Sequence, residues 1–471
     1  MNFKGISYYL GLFCFPISIL AFVNILYSSY FNYFLNTDSY LYSLILSIVL
    51  GAIFYFIGKN SSKKIIFQEQ LVLIILIYLL SSFLISIPIY FSIYQITFIN
   101  SIFESISGLT GTGFSVFKNI KYLDPTLIIW RSSSQWLGGL YFLIFLVLFF
   151  SNTQFQYKLN NLVFSSDKSL NPENNIKKIS IKIFFLYTLL TLLIFVLLAT
   201  SNIRLFNSLN LSMSLISTGG FLPANSASLV IKTNLQKIIL IFSFILSSLN
   251  IFFIYNIFNK NFFRNHYEDY FILIVILVFS FVLYVPINNA NYLDVLINVS
   301  SSIANSGIIT SDIPNNFSML LLFLTIIGGS IISNSSGIKL LRFYILFKAS
   351  FIEIIKIVRP HNVFNQKILS SDNKITNENI KLSFYIFISF FICLFILSGL
   401  LLFNNFDFEN AFKLSILTLT NTTISNSYGL NTIDFANLLT SSKISLIIFM
   451  IIGKIELISL LLIIKKILFK D

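Results

Sequence analysis

The sequence predicts an all-α integral membrane protein, with two N-terminal helices and then four span–short helix–span repeats in pseudo-fourfold arrangement around one pore. Three observations carry this. Hydrophobic residues make up 56% of the 471-residue chain and charged residues only 10%, with a mean hydropathy of +0.85; a soluble domain carries about 25% charged residues. Stretches such as 71–92 and 126–150 are long and nearly uncharged, and ~20 such residues suffice to cross ~30 Å of hydrocarbon. Finally, hydroxyl-rich clusters recur at the same place relative to the spans. Length alone suggests roughly three soluble domains, and the apolar runs override it.

Ten apolar segments read as spans: 6–27, 40–58, 71–92, 126–150, 181–200, 237–258, 269–288, 317–358 (interrupted), 382–404 and 443–468. They group as an N-terminal hairpin, 1–58, and four repeats: 71–150, 181–258, 269–358 with an interrupted second helix, and 382–468. The first run lacks a small-residue cleavage site and exceeds a typical signal-peptide core, so it reads as a retained span. An even number of spans puts both termini on one side. With residues 1–5 inside, 22 of the 31 Lys and Arg residues fall on the inner side, Lys63, Lys64, Lys177, Lys178, Lys465 and Lys466 among them. The positive-inside bias therefore predicts a multi-pass protein with both termini cytoplasmic. This placement explains the formal charge of +13 without a nucleic-acid partner. Cys14 and Cys393 lie in apolar runs, which supports neither a disulfide framework nor a Cys metal site. His266 and His361 lie in basic loops without a second ligand nearby.

Four segments are too short or too polar to span: 97–109, 204–217, 291–304 and 408–420, each between two spans on the outer side. One alone is equally readable as an amphipathic surface helix. Four in equivalent places imply re-entrant helices around a cavity, because irregular backbone at membrane depth survives only where protein or water covers it.

The chain also repeats itself. A shift of 310 superimposes Ser105–Ser115 on Ser415–Ser425 with six of eleven positions identical. Shifts of 106 and 194 bring in the second and third copies. One column then reads Thr112, Thr218, Ser306 and Thr422, and the next reads Gly113, Gly219, Gly307 and Thr423. A desolvated monovalent cation needs a ring of oxygens around a narrow path, and four loops of carbonyls and hydroxyls supply one. Glycine permits backbone angles that a side chain forbids. A short helix ending at mid-membrane points its negative end at the cation. No carboxylate occupies either column, which argues against a divalent-selective ring. Close helix packing explains Gly138-Gly139 and Gly51, but not four recurring clusters.

These residues resemble the Trk/Ktr/HKT superfamily of potassium transporters, most closely its Trk-type (TrkH/TrkG-like) membrane subunits. Beyond the loops, Trp130-Arg131-Ser132 with Gln135 to Gly139 looks like the second helix of the family's first repeat. Gly328-Gly329 with Ser335 to Lys339 looks like its intramembrane loop, and Gly453 to Glu456 like an element of its last helix. The resemblance covers essentially residues 1–470. It implies a K⁺ selectivity filter lined by Thr110, Gly111, Thr112, Gly113 and Phe114; by Ser217, Thr218, Gly219 and Gly220; by Asn305, Ser306, Gly307 and Ile308; and by Asn421, Thr422, Thr423 and Ile424. Its filter glycines fall on Gly113, Gly219 and Gly307. Its gate falls on Gly328, Gly329, Ser333, Asn334, Ser335, Ser336 and Gly337, with Lys454 as the pore-facing basic residue. It further implies K⁺ uptake, no covalent cofactor, a homodimer in the bacterial inner membrane amid lipid, and a cytosolic nucleotide-binding regulatory subunit of the TrkA type docking on the basic loops 151–180 and 359–381.

Three departures stand out. Lys454 replaces the usual arginine, and a flexible ammonium is not a planar fork. Thr423 stands where the family has glycine, unless the register slips to Ser427-Tyr428-Gly429. The gate loop, Ser330 to Gly337, is rich in Ser and Asn rather than Gly. The last two bear on selectivity for K⁺ over Na⁺, so a Na⁺-permeable or Na⁺/H⁺-coupled transporter of the same architecture stays open. A secondary transporter of an organic solute usually shows inverted repeats, whereas these four run in one direction. An intramembrane enzyme would need catalytic side chains in the spans, and neither histidine lies there. Glu409 reads as a helix N-terminal carboxylate, and Glu104 either as that or as a cation-concentrating group. Arg131 reads as a structural partner of a pore-helix carbonyl or carboxylate.

Overall fold

The computed structural model describes every residue except 1, 32–36, 63–64, 94–95, 151–171, 259–265, 288–290, 360–374, 431–432 and 456–471. The described residues form α-helices and short 3₁₀ turns, with no strand. Helices α1 (Phe3–Tyr30) and α2 (Thr37–Gly58) form the N-terminal hairpin. The first unit is α3 (Phe67–Ser92), the short α4 (Phe98–Thr110) and α5 (Pro125–Phe150). The second is α6 (Pro172–Thr200), the short α7 (Leu205–Ile216), α8 (Asn234–Ser248) and α9 (Ile251–Phe258). The third is α10 (Tyr267–Tyr284), the short α11 (Tyr292–Ala304), α12 (Ser318–Ile327) and α13 (Leu340–Val358). The fourth is α14 (Asn377–Leu402), the short α15 (Phe408–Leu419) and α16 (Thr440–Lys454).

Six described helices are long and apolar enough to cross a membrane: α1, α2, α3, α6, α10 and α14. Their outer faces carry exposed Ile, Leu and Phe, as lipid demands. The inner helices are more polar. In α5 the run Ser132 to Gln135 is buried, and its three serine hydroxyls donate to carbonyls three or four residues back, which satisfies them inside the helix. Glycine lets these second helices press on the short ones. A Cβ on Gly138 would lie 2.8 Å from the Leu109 Cα, and one on Gly453 would lie 3.1 Å from the Leu419 Cα. The same device thus seats the first and fourth short helices.

One expected span is corrected. The run 237–258 is not a single helix, because α8 and α9 meet at a bend of 108°. Leu249 is extended (φ −81°, ψ 159°), and the Asn250 side chain accepts from Phe252 N at 2.9 Å. Asparagine is thereby the N-cap that starts a new helix. The interruption expected in 317–358 is present between α12 and α13. The predicted last span, 443–468, is described only as far as residue 455, so Lys465 and Lys466 lie outside the described residues.

Candidate filter and gate

Each short helix ends in the same way. Gly111, Thr218, Asn305 and Asn421 have φ of +77°, +56°, +60° and +49°. Their N–H groups donate three residues back, to Gly108, Leu215, Ser302 and Thr418. The next N–H donates five residues back in three copies: Gly219 to Ser214, Ser306 to Ser301 and Thr422 to Leu417. In the first copy Gly113 donates to Ser107 instead. This is left-handed helix termination. Glycine and asparagine adopt it readily, whereas a β-branched threonine at Thr218 is strained there.

This register corrects the second copy. The structural shift from the first repeat is 107, not 106, because Thr218 terminates its helix as Gly111 does. The residue equivalent to Gly113, Gly307 and Thr423 is therefore Gly220 rather than Gly219. A sequence signal was available: Gly113-Phe114 aligns with Gly220-Phe221 once one residue is added. Gly219 instead packs on the Gln135 side chain.

The four equivalent positions converge. A Cβ on Gly113 would lie 2.9 Å from the Gly220 Cα, one on Gly220 would lie 2.7 Å from the Thr423 Cβ, and one on Gly307 would lie 2.5 Å from the Thr423 hydroxyl. Gly113, Gly220, Gly307 and Thr423 together line an open cavity of about 420 Å³, whose lining also includes Lys118 and Asp312. Thr423 is the only one of the four with a side chain. Its hydroxyl donates to the Ser306 carbonyl. The fourth-copy register at Thr423, not a slip to Gly429, is the one that joins this group.

The hydroxyl column does something other than expected. Thr112 and the Asn421 amide are hydrogen-bonded at 2.8 Å, Asn305 Nδ2 donates to the Thr422 hydroxyl at 3.2 Å, and the Ser306 hydroxyl donates to Gly219 O at 3.0 Å. These side chains stitch neighbouring loops together.

Behind the first loop lies a fully buried ion pair. Arg131 Nε is 2.7 Å from Glu104 Oε1, and the two side chains are 1% and 0% exposed. Glu104 also accepts from Val116 N at 2.8 Å and from the Ser115 hydroxyl at 3.0 Å. The guanidinium lies 4.1 Å from the Phe221 ring centroid, which ties the first loop to the second. Arg131 therefore has the structural role read from the sequence. Glu104 is neither a helix-start carboxylate nor a cation-concentrating group at the mouth. Glu409 does open α15, where Lys413 lies at 2.5 Å and its hydrogen bond holds the carboxyl below the usual range.

Below the filter candidates, residues 328–339 cross between α12 and α13. Gly328 and Gly337 have φ of +67° and +81°. At the tip, Asn334 Nδ2 donates to Ile216 O at 2.7 Å, while Asn334 O accepts from the Thr218 hydroxyl at 3.2 Å and from Lys454 Nζ at 3.0 Å. Lys454 Nζ lies 3.7 Å from where a Cβ on Gly111 would stand, and 4.6 Å from the Phe142 ring centroid. It thus occupies the space between the first loop and the tip. Sequence reasoning counted Lys339 in the loop motif without giving it a role; it is 1% exposed and holds the loop's curve by donating to Ser333 O, Ser335 O and the Ser335 hydroxyl. Its signal was a lysine two residues after Gly337, at the end of an otherwise uncharged run. No group of three or more metal-ligating His, Cys, Asp or Glu residues occurs among the described residues.

The comparisons agree with this architecture. An uncharacterized cation transporter of Methanocaldococcus jannaschii is 28% identical, covering 100% of this chain and 97% of the relative. The Trk system potassium uptake protein TrkG of Escherichia coli is 26% identical over 88% of this chain and 90% of its own length. The crystal structure of the potassium transporter TrkH from Vibrio parahaemolyticus matches with a TM-score of 0.86 over 98% of both chains, at 20% identity. The family described as TrkH, cation transport protein, matches residues 38–270 and 308–471. A match over that much of the chain, on a fold with four equivalent loop ends, places the protein in the TrkH family of cation transport proteins.

Proposed function

We propose that this protein takes up K⁺ across the cell membrane, the ion passing a filter built from the four loop ends and then the gate at residues 328–337. The observation that carries the reading is the convergence of Gly113, Gly220, Gly307 and Thr423 on one cavity. Backbone carbonyls at such a constriction replace water around the ion. The cation transporter family and the relatives named as potassium uptake proteins support it. The charge bias supports an inner-membrane orientation with both termini cytoplasmic. A homodimer and a cytosolic nucleotide-binding regulatory subunit remain partners by resemblance alone.

The test is growth rescue of a K⁺-uptake-deficient bacterium at limiting K⁺, with Gly113→Ser and Gly220→Ser alongside. Wild type is expected to rescue and both variants to fail although membrane-inserted, because each side chain would meet Thr423 or a facing backbone. Failure of abundant wild-type protein, even with a cognate regulatory subunit present, would sink the K⁺ assignment. Thr423 favours one second reading, a Na⁺-permeable pore, since its side chain narrows the ring; ²²Na⁺ uptake exceeding ⁸⁶Rb⁺ uptake in vesicles would select it.

In this reading the tip residue Asn334 closes the path. Removing the side chain deletes its bond to Ile216 O, worth about 0.5–1.5 kcal/mol net. Asn334→Ala is therefore expected to raise ⁸⁶Rb⁺ flux into proteoliposomes by roughly tenfold at the upper end of that range. Unchanged flux would remove Asn334 from the gate.

A further inference from the structure

Three structural facts about the gate loop remain unexplained by its contacts with the filter. Its first limb is held from below by elements that carry no filter residue. Ser330 N donates to Ser248 O at 2.9 Å, and Ile251 N donates to Ile332 O at 3.0 Å. Between them, Ile331 N donates to Glu268 Oε1 at 3.1 Å. Three consecutive loop residues are thus bonded to the break between α8 and α9 and to the start of α10. The break is itself fastened to α10, because Asn250 N donates to Asp269 Oδ1 at 2.8 Å.

Two broken helices of neighbouring repeats therefore satisfy each other's freed backbone groups, and two adjacent carboxylates lock the joint. A carboxylate in a helix's first turn ordinarily meets the helix's own free N–H groups. Glu268 and Asp269 instead reach two other elements, and consecutive helix residues project about 100° apart, as reaching two targets requires. Asp269 is 1% exposed and is braced by His266 Nδ1 at 3.4 Å, whose Nε2 meets Asn256 Nδ2 at 2.9 Å. Within the loop the tip bonds Ser330, Gly329 and Lys339; outside it, the tip has partners different from the limb's: Ile216, Thr218 and Lys454 at Asn334, and Asn421 at Ser336.

We propose that Glu268 and Asp269 are positioning residues of the gate, fixing residues 330–332 and the α8–α9 break as one static body so that only the tip, 333–337, swings when ions pass. The proposal rests on the reading of this loop as the gate. The left-handed angles at Gly337 and Lys339 (φ +81° and +78°) lie where the tip rejoins α13, at sites where small rotations redirect the chain. Glutamine at 268 keeps an oxygen for Ile331 N, whereas alanine does not.

The experiment uses full-length protein in liposomes, reading ⁸⁶Rb⁺ uptake together with labelling of Ser333→Cys by a membrane-impermeant maleimide. Cys14 and Cys393 are buried and give the background. Glu268→Ala is expected to raise both uptake and labelling rate by about threefold or more, with Glu268→Gln close to wild type. Asp269→Ala should act in the same direction, and it substitutes if Glu268→Ala fails to fold. Asn334→Ala separates the two readings. If it raises uptake while Glu268→Ala and Asp269→Ala change neither readout, the positioning role is overturned and the gate stands. If none of the three changes uptake, the gate itself is overturned. Lower uptake with unchanged labelling, or a glutamine variant equal to the alanine one, also overturns the proposal.

Discussion

Glu104→Ala is expected to be the most damaging single substitution in the first repeat, costing about 3–5 kcal/mol. The loss follows from what stays behind. Arg131 would remain 1% exposed with its carboxylate partner gone, and an uncompensated buried charge costs far more than the pair contributes. Val116 N and the Ser115 hydroxyl would lose their acceptor as well, so the chain just after Gly113 would lose its brace. Thermal unfolding in detergent, followed by intrinsic fluorescence, should start several degrees lower, and the monodisperse fraction should fall. The double variant Glu104→Leu with Arg131→Met provides the control. It removes both charges and leaves similar volume, an exchange that is often neutral, so it should recover most of the stability. Unfolding of Glu104→Ala at the wild-type temperature would show that the pair braces nothing.

What the sequence disclosed depended on how local the cause was. Lipid imposes a length and an apolarity on a span, so helices such as α3 and α14 were legible from composition alone. The four short helices were legible because their termini repeat. The break at Leu249-Asn250 was not, since Ser-Ser-Leu-Asn inside an apolar run is also compatible with a continuous helix. The partners that stabilise the break, Ser330, Ile332 and Asp269, come from distant chain. The second loop was misaligned by one residue because its Thr218 takes a left-handed conformation that threonine seldom adopts. Arg131 was legible as structural from its place in the span. The same reading left the role of Glu104 open, because sequence spacing does not reveal which side chains share a buried pocket.

Thr423→Gly is expected to give the largest gain in transport. In the ring of four equivalent positions, three glycines leave backbone alone, and a Cβ on any of them would press on Thr423. Thr423 therefore places a methyl and a hydroxyl where the other copies place nothing, and the hydroxyl donates to the Ser306 carbonyl. A carbonyl already accepting a hydrogen bond is a weaker ligand for a passing cation. The net value of such a bond is about 0.5–1.5 kcal/mol, so releasing it should raise ⁸⁶Rb⁺ conductance by up to roughly tenfold. Preference for K⁺ over Na⁺ should rise with it, since a fourth unobstructed carbonyl completes the ring. Two further variants divide the cause. Thr423→Val keeps the bulk and deletes the donor, while Thr423→Ser keeps the donor and deletes the methyl. If valine matches glycine, the hydrogen bond limits flux; if serine does, the methyl does. Should Thr423→Gly leave both Rb⁺ conductance and competition by Na⁺ at wild-type values, the ion does not pass through this ring, and the filter must be sought elsewhere among the loops.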